Sequence, residues 1–125
     1  MTKKILMLVI SVCSFLFLAG ASTYEELLVE NQNNIQKISP GLTKEQVVEI
    51  MGTKEAQIKS THVSNPYKRD FFTQGKDDYE ILYYLTRRYP AFTAIKQSQA
   101  TPIVIKNGKV IGLGIDAVKS VKGSK

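Results

Sequence analysis

The chain has one cysteine, Cys13, and one histidine, His62, in 125 residues. Cys13 falls in the N-terminal leader described below, so the rest of the chain carries no thiol. Such a domain builds no disulfide and has no thiol nucleophile. One histidine without cysteine supplies too few nitrogen or sulfur ligands for a transition-metal site. The Gly-x-Ser-x-Gly turn that presents a nucleophilic serine is missing. No Gly-spaced loop with a distal glutamate follows Asp77-Asp78-Tyr79-Glu80, so these carboxylates read as a solvated turn and not as a calcium loop. The expectation is a non-catalytic protein with no catalytic residue, no cofactor and no metal. A strong charge excess is missing too. Seventeen Lys and Arg oppose 11 Asp and Glu, a net of +6. Setting aside Lys3 and Lys4 leaves 15 against 11, a net of +4. That balance suits an anionic lipid surface or an acidic partner and is too weak to argue for nucleic acid.

A membrane-spanning run is the last absence. Ile5 to Leu18 is apolar apart from Ser11, Cys13 and Ser14, but a span needs about 20 residues. Lys3 and Lys4 precede this run, and the small-x-small site Ala19-Gly20-Ala21 follows it. This is the pattern of a secretory signal peptide over residues 1–21, with Ala19 and Ala21 marking cleavage. The alternative is an uncleaved anchor. Leu18-Ala19-Gly20-Ala21 also resembles a bacterial lipobox whose final cysteine has become alanine. Ala21 has no thiol to lipidate, so no lipid anchor is expected. The product is an exported periplasmic domain starting near Ser22, with outer-membrane association left open.

Residues 22–125 read as one α+β domain. Ser22 or Thr23 caps a helix from Tyr24 to about Ile38, with Tyr24, Leu27, Leu28, Ile35 and Ile38 at helical spacing. Asn31 interrupts that stripe. Ser39-Pro40-Gly41 turns the chain into a second helix. There Thr43 and Gln46 form a capping box, Leu42 and Val47 a hydrophobic staple, and Gly52 the C-terminal stop. Ala56 to Val63 alternates as a strand, and Tyr79 to Arg87 is the strongest strand of the chain. After a connection from Arg88 to Ala100 comes a hairpin turning at Asn107-Gly108, the dipeptide a type I′ turn requires. It sets Ile105 against Val110 and Val104 against Ile111. Gly112 and Gly114 signal close backbone approach. Residues 116–125 read as a frayed tail. The expected architecture is two N-terminal helices packed on a three- to four-stranded antiparallel meander. Leu82, Tyr84, Val104, Ile111 and Leu113 leave its other face apolar, awaiting a second copy, another protein or the long connection.

Gly41-Leu42-Thr43-x-x-Gln46-Val47-x-x-x-Met51-Gly52, preceded by a helix and followed by strands, resembles the SmpA/OmlA domain, the fold of the outer-membrane assembly lipoprotein BamE. Asn65-Pro66-Tyr67-Lys68-Arg69, Ile81 to Thr86, Thr101 to Val104 and Gly112-x-Gly114 resemble a subset of small bacterial lipoproteins in that group. The resemblance covers residues 38 to about 115. It implies a BamE-like ααβββ fold, a bacterial envelope location and a scaffold role with another envelope protein as partner. A similar fold in β-lactamase inhibitory protein implies the alternative of an inhibitor of a secreted enzyme.

Two stretches combine aromatic and cationic residues. Asn65-Pro66-Tyr67-Lys68-Arg69 is one, and Arg87-Arg88-Tyr89 at the end of the strong strand is the other. Guanidinium groups suit carboxylate and phosphate, and tyrosine anchors interfaces. Asn65, Pro66, Tyr67, Arg69, Tyr83, Arg87 and Arg88 are therefore the candidate partner-binding residues, weighed against a turn and a solvated basic edge. Self-association remains an alternative use of the surface. A small hydrolase is the third reading, with His62 near Ser60, Ser64 and Asp70.

Overall fold

The computed structural model describes residues 22–58, 61–88 and 97–123. The signal-peptide and cleavage expectations at Ala19 and Ala21 lie outside these residues, as do positions 89–96 of the connection.

Two helices come first. Helix α1, Tyr24–Ile35, starts where Thr23 Oγ1 accepts from the Glu26 backbone N–H at 3.1 Å. It stops before Ile38. Asn34 and Ile35 carbonyls accept from Lys37 and Ile38 N–H groups, a tightened last turn that uses up the terminal acceptors. Helix α2, Lys44–Met51, carries the full capping box: Gln46 N–H to Thr43 Oγ1 at 3.1 Å, and Thr43 N–H to Gln46 Oε1 at 2.9 Å. Such a cap contributes about 1 kcal/mol. Gly52 ends the helix at φ +76, with its N–H on the Val48 carbonyl.

The strands form two sheets. In the smaller, β1 (Ser22–Thr23) runs parallel to β2 (Ala56–Ile58), and β2 is antiparallel to β3 (Thr61–Val63). The single strand expected over 56–63 is therefore two. Ala56 opposes Val63, so the chain reverses within it and both small apolar residues point into one cluster. The larger sheet is an antiparallel meander of β4 (Lys68–Gln74), β5 (Asp77–Leu85), β6 (Ala100–Lys106) and β7 (Lys109–Leu113). Its last turn has Asn107 at φ 50 and Gly108 at φ 83, the two left-handed residues of a type I′ turn. Ile105 opposes Val110 as expected. Beyond it the register shifts, Val104 opposes Gly112, and Ile111 is left 43% exposed. A bulge has moved the residue expected on the apolar face out to solvent.

Side chains of the meander alternate between two clusters. On one face Leu82, Tyr84, Ile103, Ile105 and Val110 join Ile38 and the α2 residues Val47 and Met51. On the other, Ile81, Tyr83 and Val104 join Val118. A third cluster links Tyr24, Leu27 and Leu28 of α1 to Ala56, Val63 and Leu85.

Val118 belongs to helix α3, Ile115–Lys122, where a frayed tail from 116 was expected. The apolar face of β5 explains the difference. Ala117, Val118 and Val121 share one side of a helix and cover Ile81, Tyr83 and Val104. Asp116 in the first turn and Lys119 and Lys122 in the last suit the helix dipole. A Cβ on Gly112 would lie 3.0 Å from the Ala117 Cβ, so a larger residue there would push α3 outwards by a few tenths of an ångström. Of the five residues expected to await an outside partner, Leu82, Tyr84 and Leu113 lie instead on the face that α2 covers, Val104 lies under α3, and Ile111 faces solvent; the opposite face is covered by the chain's own C-terminal helix.

The two edges of the meander differ. At β7 the segment before α2 adds backbone bonds: Gly41 N–H to Val110 O, Val110 N–H to Leu42 O, and Lys44 N–H to Gly108 O, at 2.8 to 3.0 Å. At β4, among the described residues, the only strand neighbour is β5.

Candidate functional site

The first aromatic-and-cationic stretch runs beside the strand that leads into the second, with Tyr67 N–H donating to the Tyr83 carbonyl at 2.8 Å; Tyr89 lies outside the described residues. The arginines of the two stretches take different surfaces, although Lys68 of the first stretch reaches Gln97 at 2.8 Å beside the cavity that Arg87 lines. Arg69 opposes Leu82 and so lies on the α2 side of the sheet. Arg87 lines a cavity of about 550 Å³ on the α3 side with Tyr83, Gln97, Thr101, Pro102 and Ile115. Arg88 pairs with Glu25 of α1 at 2.8 Å, between exposed groups.

Three of the expected binding residues are interior. Asn65 is 5% exposed and meets Asn31, which is 0% exposed. The two amides exchange hydrogen bonds, Asn31 Nδ2 to Asn65 Oδ1 at 2.9 Å and Asn65 Nδ2 to Asn31 Oδ1 at 3.1 Å. Asn65 Nδ2 also donates to the Met51 and Gly52 carbonyls that end α2, and Asn31 Nδ2 to the Leu85 carbonyl. This pair ties α1, the end of α2 and the end of β5 together. Pro66, which follows Asn65 through a cis peptide bond, is buried. Tyr83 is 2% exposed. Tyr67 is half-buried against the α1 cluster. Arg69, Arg87 and Arg88 remain exposed.

Tyr83 belongs to a polar cluster under α3. Its hydroxyl donates to Asp70 Oδ2 at 3.1 Å, and Lys122 and Lys68 approach the same carboxylate at 3.4 and 3.7 Å. Burial raises the Asp70 carboxyl, but the Tyr83 hydrogen bond and the two ammonium groups outweigh it and hold it below its ordinary value. The Tyr83 hydroxyl is pushed up to about 12, by burial first and then by Asp70. Tyr84, on the opposite face, is also pushed up to about 12, again chiefly by burial. Both phenols hold their protons more tightly folded than unfolded. Their contribution to stability is therefore complete below pH 10 and is lost as pH rises from 10 towards 12. We expect denaturant midpoints to fall between pH 9 and pH 11 by the order of 1 kcal/mol per tyrosine, and Tyr83→Phe and Tyr84→Phe each to flatten that dependence. Asp70 has the opposite sign, so its contribution is lost as acid protonates it.

Among the described residues the triad drawn around His62 is not assembled. His62 Nε2 lies 3.0 Å from Glu55 Oε2 with both groups exposed, the Ser64 hydroxyl donates to the Pro66 carbonyl, and Asp70 is engaged with Tyr83. Ser60 lies outside the described residues. Asp77 accepts from Asn107 Nδ2 at 2.9 Å, while Glu80 turns to Lys44 at 2.8 Å. Among the described residues no group of three or more His, Cys, Asp or Glu is placed to hold a metal.

The surface that residue reasoning missed lies on the α2 side of β4. Phe71 is 68% exposed there. A groove of about 480 Å³ runs beside it, lined by Phe71, Thr73, Asp78, Glu80 and Ile105. Lys44 sits 5.8 Å from the centre of the Phe71 ring. Glu80 is 7% exposed; Oε1 meets Lys44, and Oε2 is buried without a hydrogen-bond partner among the described residues. The period-two pattern of β4 is the one signal that marks Phe71: with Phe72 turned to the α3 side, its neighbour must face the other way.

What these features define is a small α+β domain with an open sheet edge and an apolar groove along it. A family described as "Protein of unknown function (DUF3192)" matches residues 8–120, and the chain belongs to it. No curated protein and no solved structure matches the chain.

Proposed function

We propose that this chain is a non-catalytic interaction module of the bacterial cell envelope, exported to the periplasm, with an SmpA/OmlA-type (BamE-like) arrangement of two helices over one face of the meander. The order of α1 and α2 before four antiparallel strands supports that arrangement, as does the cluster of Val47 and Met51 with Leu82, Tyr84 and Ile103. The Lys3-Lys4 start, the apolar run to Leu18 and the Ala19-Gly20-Ala21 site support export. Among the described residues no helix is long and apolar enough to cross a membrane. The observation that carries the binding role is Phe71, a large ring exposed beside a groove at an open sheet edge. Solvated single apolar residues are common, but one on an unpaired edge invites a partner.

The test is site-directed photocrosslinking in cells. A photoreactive residue at Thr73, in the groove, should give one discrete adduct in the envelope fraction. The same residue at Lys119, on the outside of α3, should not. An adduct with a secreted enzyme whose activity falls in the complex would favour the inhibitor alternative. Equal labelling from both positions, or a purified chain that turns over a substrate, would overturn the proposal.

A further inference from the structure

Resting on that reading, we infer that β4 accepts an extended segment of another protein as a fifth strand of the meander, and that the segment carries an acidic residue two positions from a large apolar one.

Three observations converge. The first is the asymmetry of the sheet edges. Backbone from 41–44 seals the β7 edge, and no backbone does so at β4 among the described residues. Alternate residues of an edge strand turn N–H and C=O groups outwards, and only another extended backbone satisfies them in series. β4 supplies seven residues without a proline, long enough for such a ladder.

The second is the groove. Arg69, Phe71 and Thr73 oppose Leu82, Glu80 and Asp78, and so lie on one face at intervals of two. An added strand presents its own alternate side chains to that face. The one beside Phe71 enters the 480 Å³ groove floored by Ile105. That space fits a large apolar side chain.

The third is charge. Lys44 is matched by Glu80, Lys68 and Lys122 by Asp70, and Lys106 by Asp77. Arg69 is exposed and has no carboxylate within 4.0 Å among the described residues. It lies on the same face as Phe71, two residues away. A carboxylate at that spacing in the incoming strand meets the one unmatched cation of the β4 edge. At the far end Asp78, opposite Thr73, disfavours a second acid there.

The probes are fluorescein-labelled heptapeptides of alternating threonine and valine, bearing Asp and Phe two positions apart in either order. The full chain, held in mild detergent, is titrated against them. One order should bind saturably, with new amide-exchange protection at residues 68–74. Replacing the peptide's Asp with Lys should weaken binding about tenfold, and Arg69→Glu should reverse that preference. N-methylation of alternate peptide amides should weaken it by about tenfold or more, since each blocks a ladder bond. Binding indifferent to N-methylation, protection outside 68–74, or no binding by either order would overturn the inference. So would a chain that pairs with a second copy through β4. A discrete Thr73 adduct alongside peptides that fail leaves the interaction module standing and removes strand addition alone.

Discussion

Replacing Asn65 with alanine should destabilise the protein by about 3–5 kcal/mol, more than any surface change in this chain. The side chain is nearly fully buried and spends both ends of its amide. Its loss leaves the Asn31 oxygen facing the apolar interior, and the Met51 and Gly52 carbonyls lose their donor. Buried polar groups stripped of partners cost about 1–3 kcal/mol each. The thermal midpoint should fall by about 12 °C or more. Asn31→Ala should be nearly as severe, because it strips Asn65 and the Leu85 carbonyl. The double variant should then cost less than the two singles together, since each single orphans the other's partner. Urea unfolding of the four proteins in this cycle measures the coupling. Singles below about 1 kcal/mol would mean that water takes the place of the missing amide.

Ending the chain at Gly114 should have the second largest effect. Without α3, the Ile81, Tyr83 and Val104 face opens to solvent. The Lys122–Asp70 contact and the Gln74 bond to the Val121 carbonyl disappear as well. The shortened chain should bind a hydrophobic dye, aggregate at concentrations where the full chain does not, and titrate Tyr83 closer to 10. Val118→Asp tests the same cover without removing backbone. It places a carboxylate where Val118 is 8% exposed, and should cost about 2–3 kcal/mol. Unchanged solubility and an unmoved Tyr83 titration in both proteins would show that α3 shields nothing.

Local signals were legible and non-local ones were not. The Thr43–Gln46 box and the Asn107-Gly108 turn are written in neighbouring residues, and both formed as their chemistry requires. Three strands of the meander, expected with three to four, followed from alternation along residues 79–85 and around the hairpin, and β4 makes the fourth. Helix α3 was missed because Gly114 precedes it with no side-chain cap, and its apolar stripe is built from small residues. The reversal inside 56–63 has neither glycine nor proline to announce it. At the candidate site, Asn65 looked like an exposed turn residue. Its partner lies 34 positions away in α1, where Asn31 seemed only to interrupt a stripe. Which side of the sheet each arginine takes depends on register, and pairing Arg69 with Leu82 is a fact of the folded sheet.

The strip of backbone that runs from Gly41 to Lys44 along β7 gives the molecule a closed end and an open end. Among the described residues the meander therefore offers copies no second rail, and its ladder cannot be extended from copy to copy on the β7 side.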